Sequence, residues 1–167
     1  MMICFTVHIV VDSQELCTSV SAIETLAELL EKESARFWTA HKCQSCECNA
    51  FPVILDGKLV NANYIFASDV DYAKVETLNK LLKDPALSSL WAAFDEQKAS
   101  YSYCLPGAKV AIASLLRQNT SPTYEDIRLS LSGNLCKCTN AKKIECAARD
   151  LFEIVCRHLS KAKGANK

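Results

Sequence analysis

Cys136 and Cys138 stand one residue apart in the run Ser132-Gly-Asn-Leu-Cys-Lys-Cys-Thr139. Thiols that close along the chain do not easily form an unstrained disulfide with each other. Both can, however, bind one metal centre. Cys104, followed by Leu-Pro-Gly107, offers a third thiol just ahead of a helix start. Soft thiolates grouped in this way suit iron–sulfur or zinc chemistry. A second group lies in His41-Lys-Cys-Gln-Ser-Cys-Glu-Cys48, where Cys43, Cys46 and Cys48 share one short stretch with His41. Three Cys and one His form an accepted zinc set, here packed more tightly than usual zinc spacing. A loop of buried or vestigial thiols is the metal-free alternative.

Composition narrows the setting for such sites. The chain has 167 residues, enough for one or two small domains, and half of them are hydrophobic. Lys plus Arg equals Asp plus Glu at 19 each, so no basic stripe recommends it for nucleic acid or an anionic membrane. The apolar run Ile3 to Val11 is short, lacks a basic leader and contains His8, which reads as a strand and not as a signal peptide. No apolar stretch approaches the roughly 20 residues of a bilayer span. A cytoplasmic setting is expected. Ten cysteines stay reduced there, and the expected roles are buried thiols, metal ligands or catalytic groups.

The elements that must position these thiols follow from periodicity. Ile3, Phe5, Val7 and Ile9 alternate with polar or small residues, a strand pattern. Asp12-Ser13 reads as a hairpin turn into a second strand through Leu16, Thr18 and Val20. Ser21 and Glu24 have capping-box spacing, and Ile23, Leu26, Leu29 and Leu30 form the buried stripe of a helix ending near Ser34. After the cysteine-rich loop, Phe51 to Leu55, Asp56-Gly57 and Lys58 to Tyr64 read as strand, turn and strand. The second half reads as four short helices. Asp84 caps Pro85 ahead of a face formed by Leu87, Leu90, Trp91 and Phe94. Pro106 to Leu116 is apolar nearly all round, so it is expected to be buried. Ser121-Pro122 starts a third helix stopped by Gly133, and Ile144, Ala148, Leu151, Val155 and His158 mark the last. The predicted fold is α+β: an N-terminal β-grasp ferredoxin-like domain over 1–78, then a C-terminal four-helix-bundle domain over 79–160. Cys4, Cys17 and Cys156 are expected as small, partly buried thiols, and His8 and His158 as packing or surface residues.

With these motifs in place, the chain resembles the small iron–sulfur subunit of the molybdenum hydroxylases, the family of xanthine dehydrogenase, aldehyde oxidoreductase and carbon monoxide dehydrogenase. Gly133 to Thr139 nearly matches the family motif Gly-Asn-Leu-Cys-Arg-Cys-Thr, with Lys137 keeping the positive charge. Asp56-Gly57-Lys58, followed by Val60, matches as well. The resemblance covers roughly Ile3 to Val155. It implies two [2Fe–2S] clusters, each held by four thiolates, passing electrons from a molybdenum cofactor on a large subunit towards FAD on a flavin-binding subunit.

Carried over position by position, the resemblance assigns the helical-domain cluster to Cys104, Cys136 and Cys138. Its fourth ligand position holds Tyr101, and the Gln that approaches the molybdenum cofactor in the family is Ser100 here. A phenol ionises near pH 10 against about 8.5 for a thiol, and it is a harder donor. The β-grasp cluster pattern places Cys43 and Cys48 on two ligand positions, Phe51 on the third and Asn63 on the fourth. Phe51 has no donor atom in its side chain. The glycines that let the family loop wrap its cluster are replaced by other residues, Gln44 and Asn49 among them. Cys46 is an extra thiol. The expectation is one surviving cluster in the helical domain and loss of the other.

The function expected is electron relay in a molybdenum hydroxylase-like complex, with substrate oxidised on the partner. A structural subunit that kept the fold but lost its clusters is one rival. A zinc-stabilised interaction module is the other. No Gly-x-Ser-x-Gly elbow, phosphate-binding Gly loop or His-Glu-x-x-His helix provides chemistry of its own.

Overall fold

A computed structural model describes residues 3–33, 51–96, 105–133 and 141–164. Alternation builds the first hairpin. β1 (Cys4–Val11) and β2 (Gln14–Ser21) pair antiparallel from Cys4↔Ser21 to Val11↔Gln14. Asp12 and Ser13 both adopt positive φ, 50° and 71°, as a two-residue turn matched to strand twist requires. Val7, Ile9, Val11, Leu16 and Val20 point into the core. The other face of the hairpin is open, and Cys4 and Cys17 are exposed on it. Cys156 is exposed too, so none of the three is the partly buried thiol expected from sequence.

The helix α1 (Leu26–Lys32) starts four residues later than the Ser21–Glu24 spacing suggests. Ser21 is held in β2, and its N–H donates to the Glu24 carboxylate at 3.0 Å, closing the turn out of the strand. Thr25 is the actual cap, in a reciprocal box with Glu28. Ile23 therefore lies outside the helix and is 78% exposed, while Leu26, Leu29 and Leu30 are buried as expected.

β3 (Pro52–Leu55) and β4 (Lys58–Asn61) form a second hairpin over Asp56 and Gly57, with φ of 47° and 81°. The expected strand to Tyr64 stops at Asn61, where a 3-10 turn over Ala62–Tyr64 begins. A fifth strand, β5 (Lys74–Glu76), has no signal in the sequence. It lies at the centre of the sheet, whose order is β2-β1-β5-β3-β4, parallel to β1 and antiparallel to β3. This is the β-grasp arrangement.

Both faces of β3 and β4 are used. The pair Val53↔Val60 faces α1, and the pair Ile54↔Leu59 faces the helices that follow. Those helices are α2 (Leu78–Leu82), α3 (Ser88–Glu96), α4 (Leu105–Gln118), α5 (Tyr124–Ser132) and α6 (Ala141–Gly164). The expectation of four short helices misses α2 and the 24-residue length of α6. Asp84 caps Ala86 with Pro85 at the first position, as expected. Thr123, in a reciprocal box with Asp126, caps α5 in place of Ser121. Leu90, Phe94, Ile112, Ile127, Leu131 and Leu151 form the centre of the helical core. Among the described residues no helix is long and apolar enough to cross a membrane.

Polar ties lock the sheet to the bundle. Asp12, in the first hairpin turn, accepts from the Thr77 N–H at 2.7 Å and from its hydroxyl at 2.6 Å. Thr77 in turn caps α2. Trp91 Nε1 donates to the Leu81 carbonyl at 2.8 Å. Glu76 on β5 accepts from Lys80 at 2.6 Å and pairs with Arg117 of α4, which also reaches Asp84 at 3.5 Å. Burial alone raises the Glu76 carboxyl. The hydrogen bonds and charges of Lys80 and Arg117 outweigh it and hold the group below the ordinary carboxylate range. Its ionised form thus stabilises the fold above the unfolded-state value, and that contribution is lost as pH falls through the lowered folded value. Glu76→Gln is expected to cost about 1–3 kcal/mol near neutral pH in urea unfolding. The difference between the two proteins should close as the pH drops below the carboxylate range.

Candidate metal centres

The thiols of the helical half flank described helix ends. Tyr101 and Cys104 fall between the end of α3 at Glu96 and the start of α4 at Leu105. Cys136 and Cys138 fall between the α5 cap at Gly133 and the start of α6 at Ala141. All four lie outside the described residues, and so do His41, Cys43, Cys46 and Cys48. The helix ends themselves are informative. α4 and α5 pack together and are joined by the short link 119–123, and α5 packs on α6. Short links between packed helices make them antiparallel neighbours. The start of α4 therefore lies beside the end of α5, and the end of α5 beside the start of α6; in sequence Cys104 precedes α4, and Cys136 and Cys138 fall between α5 and α6.

α4 is firmly seated. Ala108, Val110, Ala111, Ile112 and Ala113 are all buried, so its first turns have little freedom. Within this apolar run Lys109 is only 8% exposed, its ammonium 5.5 Å from the Trp91 ring centre and 5.7 Å from that of Phe94. Facing two rings, the cation is held by their quadrupoles. It stands one helical turn inside the start of α4 and places fixed positive charge near the end that bears Cys104. Sequence reading passed over Lys109, although a single lysine in an otherwise apolar helix was its signal. By its chemistry the donor set that the family resemblance assigns, three thiols and a phenol, fits a [2Fe–2S] cluster at three positions, with a harder oxygen at the fourth.

At the β-grasp position the two substituted ligands are described. Phe51 is 7% exposed and packs into the core formed by α1 and the sheet. Burying such a ring contributes about 1.5–3 kcal/mol. Asn61, at the end of β4, ties this position to the next. Its Oδ1 accepts from the Phe51 N–H at 3.1 Å, from the Asn63 N–H at 3.2 Å and from Asn63 Nδ2 at 3.4 Å. The Ala62 N–H donates back to the Phe51 carbonyl at 2.8 Å. One side-chain oxygen thus fastens together the positions that the family resemblance assigns to the third and fourth ligands. A buried ring and an amide engaged in this knot do not fit a cluster. Nothing in the sequence pattern announces the role of Asn61, because it depends on the turn that brings residues 51 and 63 together.

The described histidines serve other ends. His8 is exposed, stacked on Tyr72 with ring centres 5.4 Å apart and with Nδ1 3.5 Å from Asp71. His158 Nδ1 lies 2.6 Å from the Ser89 hydroxyl, and burial pushes its pKa below the ordinary value. Among the described residues no group of three or more His, Cys, Asp or Glu side chains could hold a metal ion.

Comparison with known proteins places these features in context. Residues 75–149 match the family model described as a [2Fe-2S] binding domain. The nicotinate dehydrogenase small FeS subunit of Eubacterium barkeri is 34% identical, the match covering 77% of this chain and 82% of that protein. The nicotine 6-hydroxylase small subunit of Paenarthrobacter nicotinovorans is 32% identical over 86% of this chain and 87% of its own length. The crystal structure of quinoline 2-oxidoreductase from Pseudomonas putida 86 contains a chain that superposes with a TM-score of 0.65 at 22% identity, covering 92% of this chain and 97% of that one. The last likeness establishes the fold.

Removing the Asn61 oxygen tests the knot. Asn61→Ala is expected to destabilise the protein by about 1–3 kcal/mol in urea unfolding, since the partly buried N–H groups of Phe51 and Asn63 lose their acceptor. Asn61→Asp keeps an acceptor oxygen and should recover part of the loss.

Proposed function

The chain belongs to the small iron–sulfur subunits of the molybdenum hydroxylases, and on that premise we propose that it relays electrons inside such a complex. The observation that carries this reading is the match of residues 75–149 to a [2Fe-2S] binding domain, a stretch that contains Cys104, Cys136 and Cys138. These three thiols are the ligands in this reading, within a helical domain over 79–160, and Tyr101 stands at the fourth position. A [2Fe–2S] cluster, when bound, supplies transfer of one electron at a time.

The chain's own residues supply position and field. The buried first turns of α4 follow closely on Cys104 in the chain, and the connection between the packed helices α5 and α6 carries Cys136 and Cys138. Lys109 adds a positive charge that favours anionic ligands nearby. Substrate chemistry belongs to a molybdenum-binding large subunit in this proposal. A flavin-binding subunit receives the electrons, and the complex works in the cytoplasm without a membrane or nucleic acid partner. Cofactors carry such chemistry while the protein orients them.

Metal analysis of the full chain after anaerobic reconstitution tests the reading. Iron and acid-labile sulfide in equal amounts are expected, with visible absorption that bleaches on reduction with dithionite. Cys104→Ser and Cys136→Ser should each remove most of that absorption. Zinc alone turns the interpretation to an interaction module, and neither metal, with retained binding to a large subunit, turns it to a structural subunit.

A further inference from the structure

The substitution at the β-grasp position is more than the loss of two ligands. A site that loses two of its four cysteine ligands leaves polar backbone and a gap, both of which destabilise a small domain. Here each deficit is filled by a described residue. The Phe51 ring is buried in the core cluster that also holds Val53 and Ala62. Asn61 Oδ1 satisfies the N–H groups of Phe51 and Asn63 together. The next strand residues keep their register, with Pro52↔Asn61 and Val53↔Val60 paired directly beside the knot.

We propose that the Phe51–Asn61–Asn63 knot stands in for a metal centre, so that the β-grasp half folds without metal and the chain carries at most one iron–sulfur centre. The thiols Cys43, Cys46 and Cys48 then have no ligand duty, whether for iron or for zinc. The inference takes the ligand positions from the family reading but concerns the other half of the chain. It stands or falls separately from the electron-relay role.

The consequence for the complex is physical. A relay with a single centre receives and releases electrons at the same end of the helical bundle. Both partner contacts for electron transfer must then lie within reach of the starts of α4 and α6, and none need approach the β4 edge of the sheet.

The full chain and its variant Cys43→Ser/Cys46→Ser/Cys48→Ser are compared after anaerobic reconstitution with iron and sulfide, and separately after incubation with zinc. The expected result is about two iron atoms per chain in both proteins, the number in one [2Fe–2S] cluster, with no difference in zinc content and the same thermal midpoint. Phe51→Ala should lower the midpoint equally with and without a chelator. About four iron atoms in the unsubstituted chain overturns the proposal. So does loss of iron, zinc or thermal stability in the triple variant. A chain with no iron at all sinks the relay role, while an unchanged midpoint in the triple variant still supports the knot.

Discussion

Strand β3 is buried on both faces, and the rest of the molecule is arranged around that constraint. Val53 turns towards α1, and Ile54, its neighbour, turns towards the helical core. Alternate side chains of a strand must point to opposite faces. A one-residue slip would therefore exchange the two sets and present each core with the wrong side chains. The turn at Asp56 and Gly57 prevents the slip by fixing the pairing of Val53 with Val60 and of Ile54 with Leu59. Register in one short hairpin thus determines how the sheet meets α4, and α4 in turn carries the chain directly from Cys104. The charged tie from Glu76 to Lys80 and Arg117 sits on the same side of the sheet as Ile54, the residue paired with Glu76, and reinforces that contact.

The same register governs the first site. Residues 51 and 61–63 lie at the open end of the β3–β4 hairpin, where the ladder finishes and backbone donors lack strand partners. A cluster bound by four thiolates is one way to organise such a segment. An amide oxygen accepting from two backbone N–H groups, beside a buried ring, is another. The two solutions exclude each other, because Phe51 occupies core volume and provides no ligand. Against the family pattern the two halves differ: the helical half has Cys at three of the four ligand positions, whereas the β-grasp half has Phe51 and Asn63 at two of them, within a network of packing and hydrogen bonds.

How much of this could be read in advance follows the range of the interactions involved. Alternating apolar residues and the dipeptides Asp12-Ser13 and Asp56-Gly57 are local signals, and the hairpins they announce are present. The capping residues were displaced because each candidate, Ser21 and Ser121, has the right chemistry but the wrong neighbour. Ser21 is committed to pairing with Cys4, and Asp126 selects Thr123. β5 was invisible because three residues carry no periodicity, and its central place comes from pairing with β1 and β3, far away in sequence. Ile23 was misjudged for a related reason: its spacing fits the helix stripe, yet the helix starts beyond it. At the candidate sites motif spacing singles out the cysteines, all of which lie outside the described residues. Lys109 and Asn61 were not legible, since what matters about them is which rings and which backbone groups the fold brings near.

The packing of the helical half also bears on why its thiols are there. Structural metal sites make up for cores too small to hold a fold, and binding energy there is folding energy. The helical core is not of that kind: α4 is buried over most of its first two turns, and α3, α5 and α6 contribute fully buried side chains to the same cluster. On the electron-relay reading, the buried first turns of α4 give the chain that follows Cys104 a rigid anchor for a group whose charge changes. Rigid surroundings limit the rearrangement that accompanies each electron, and the buried Lys109 cation supplies a constant field during it. The physical economy of the helical half thus favours redox chemistry over a zinc clasp, just as the filled core at Phe51 favours a β-grasp half that has dispensed with metal.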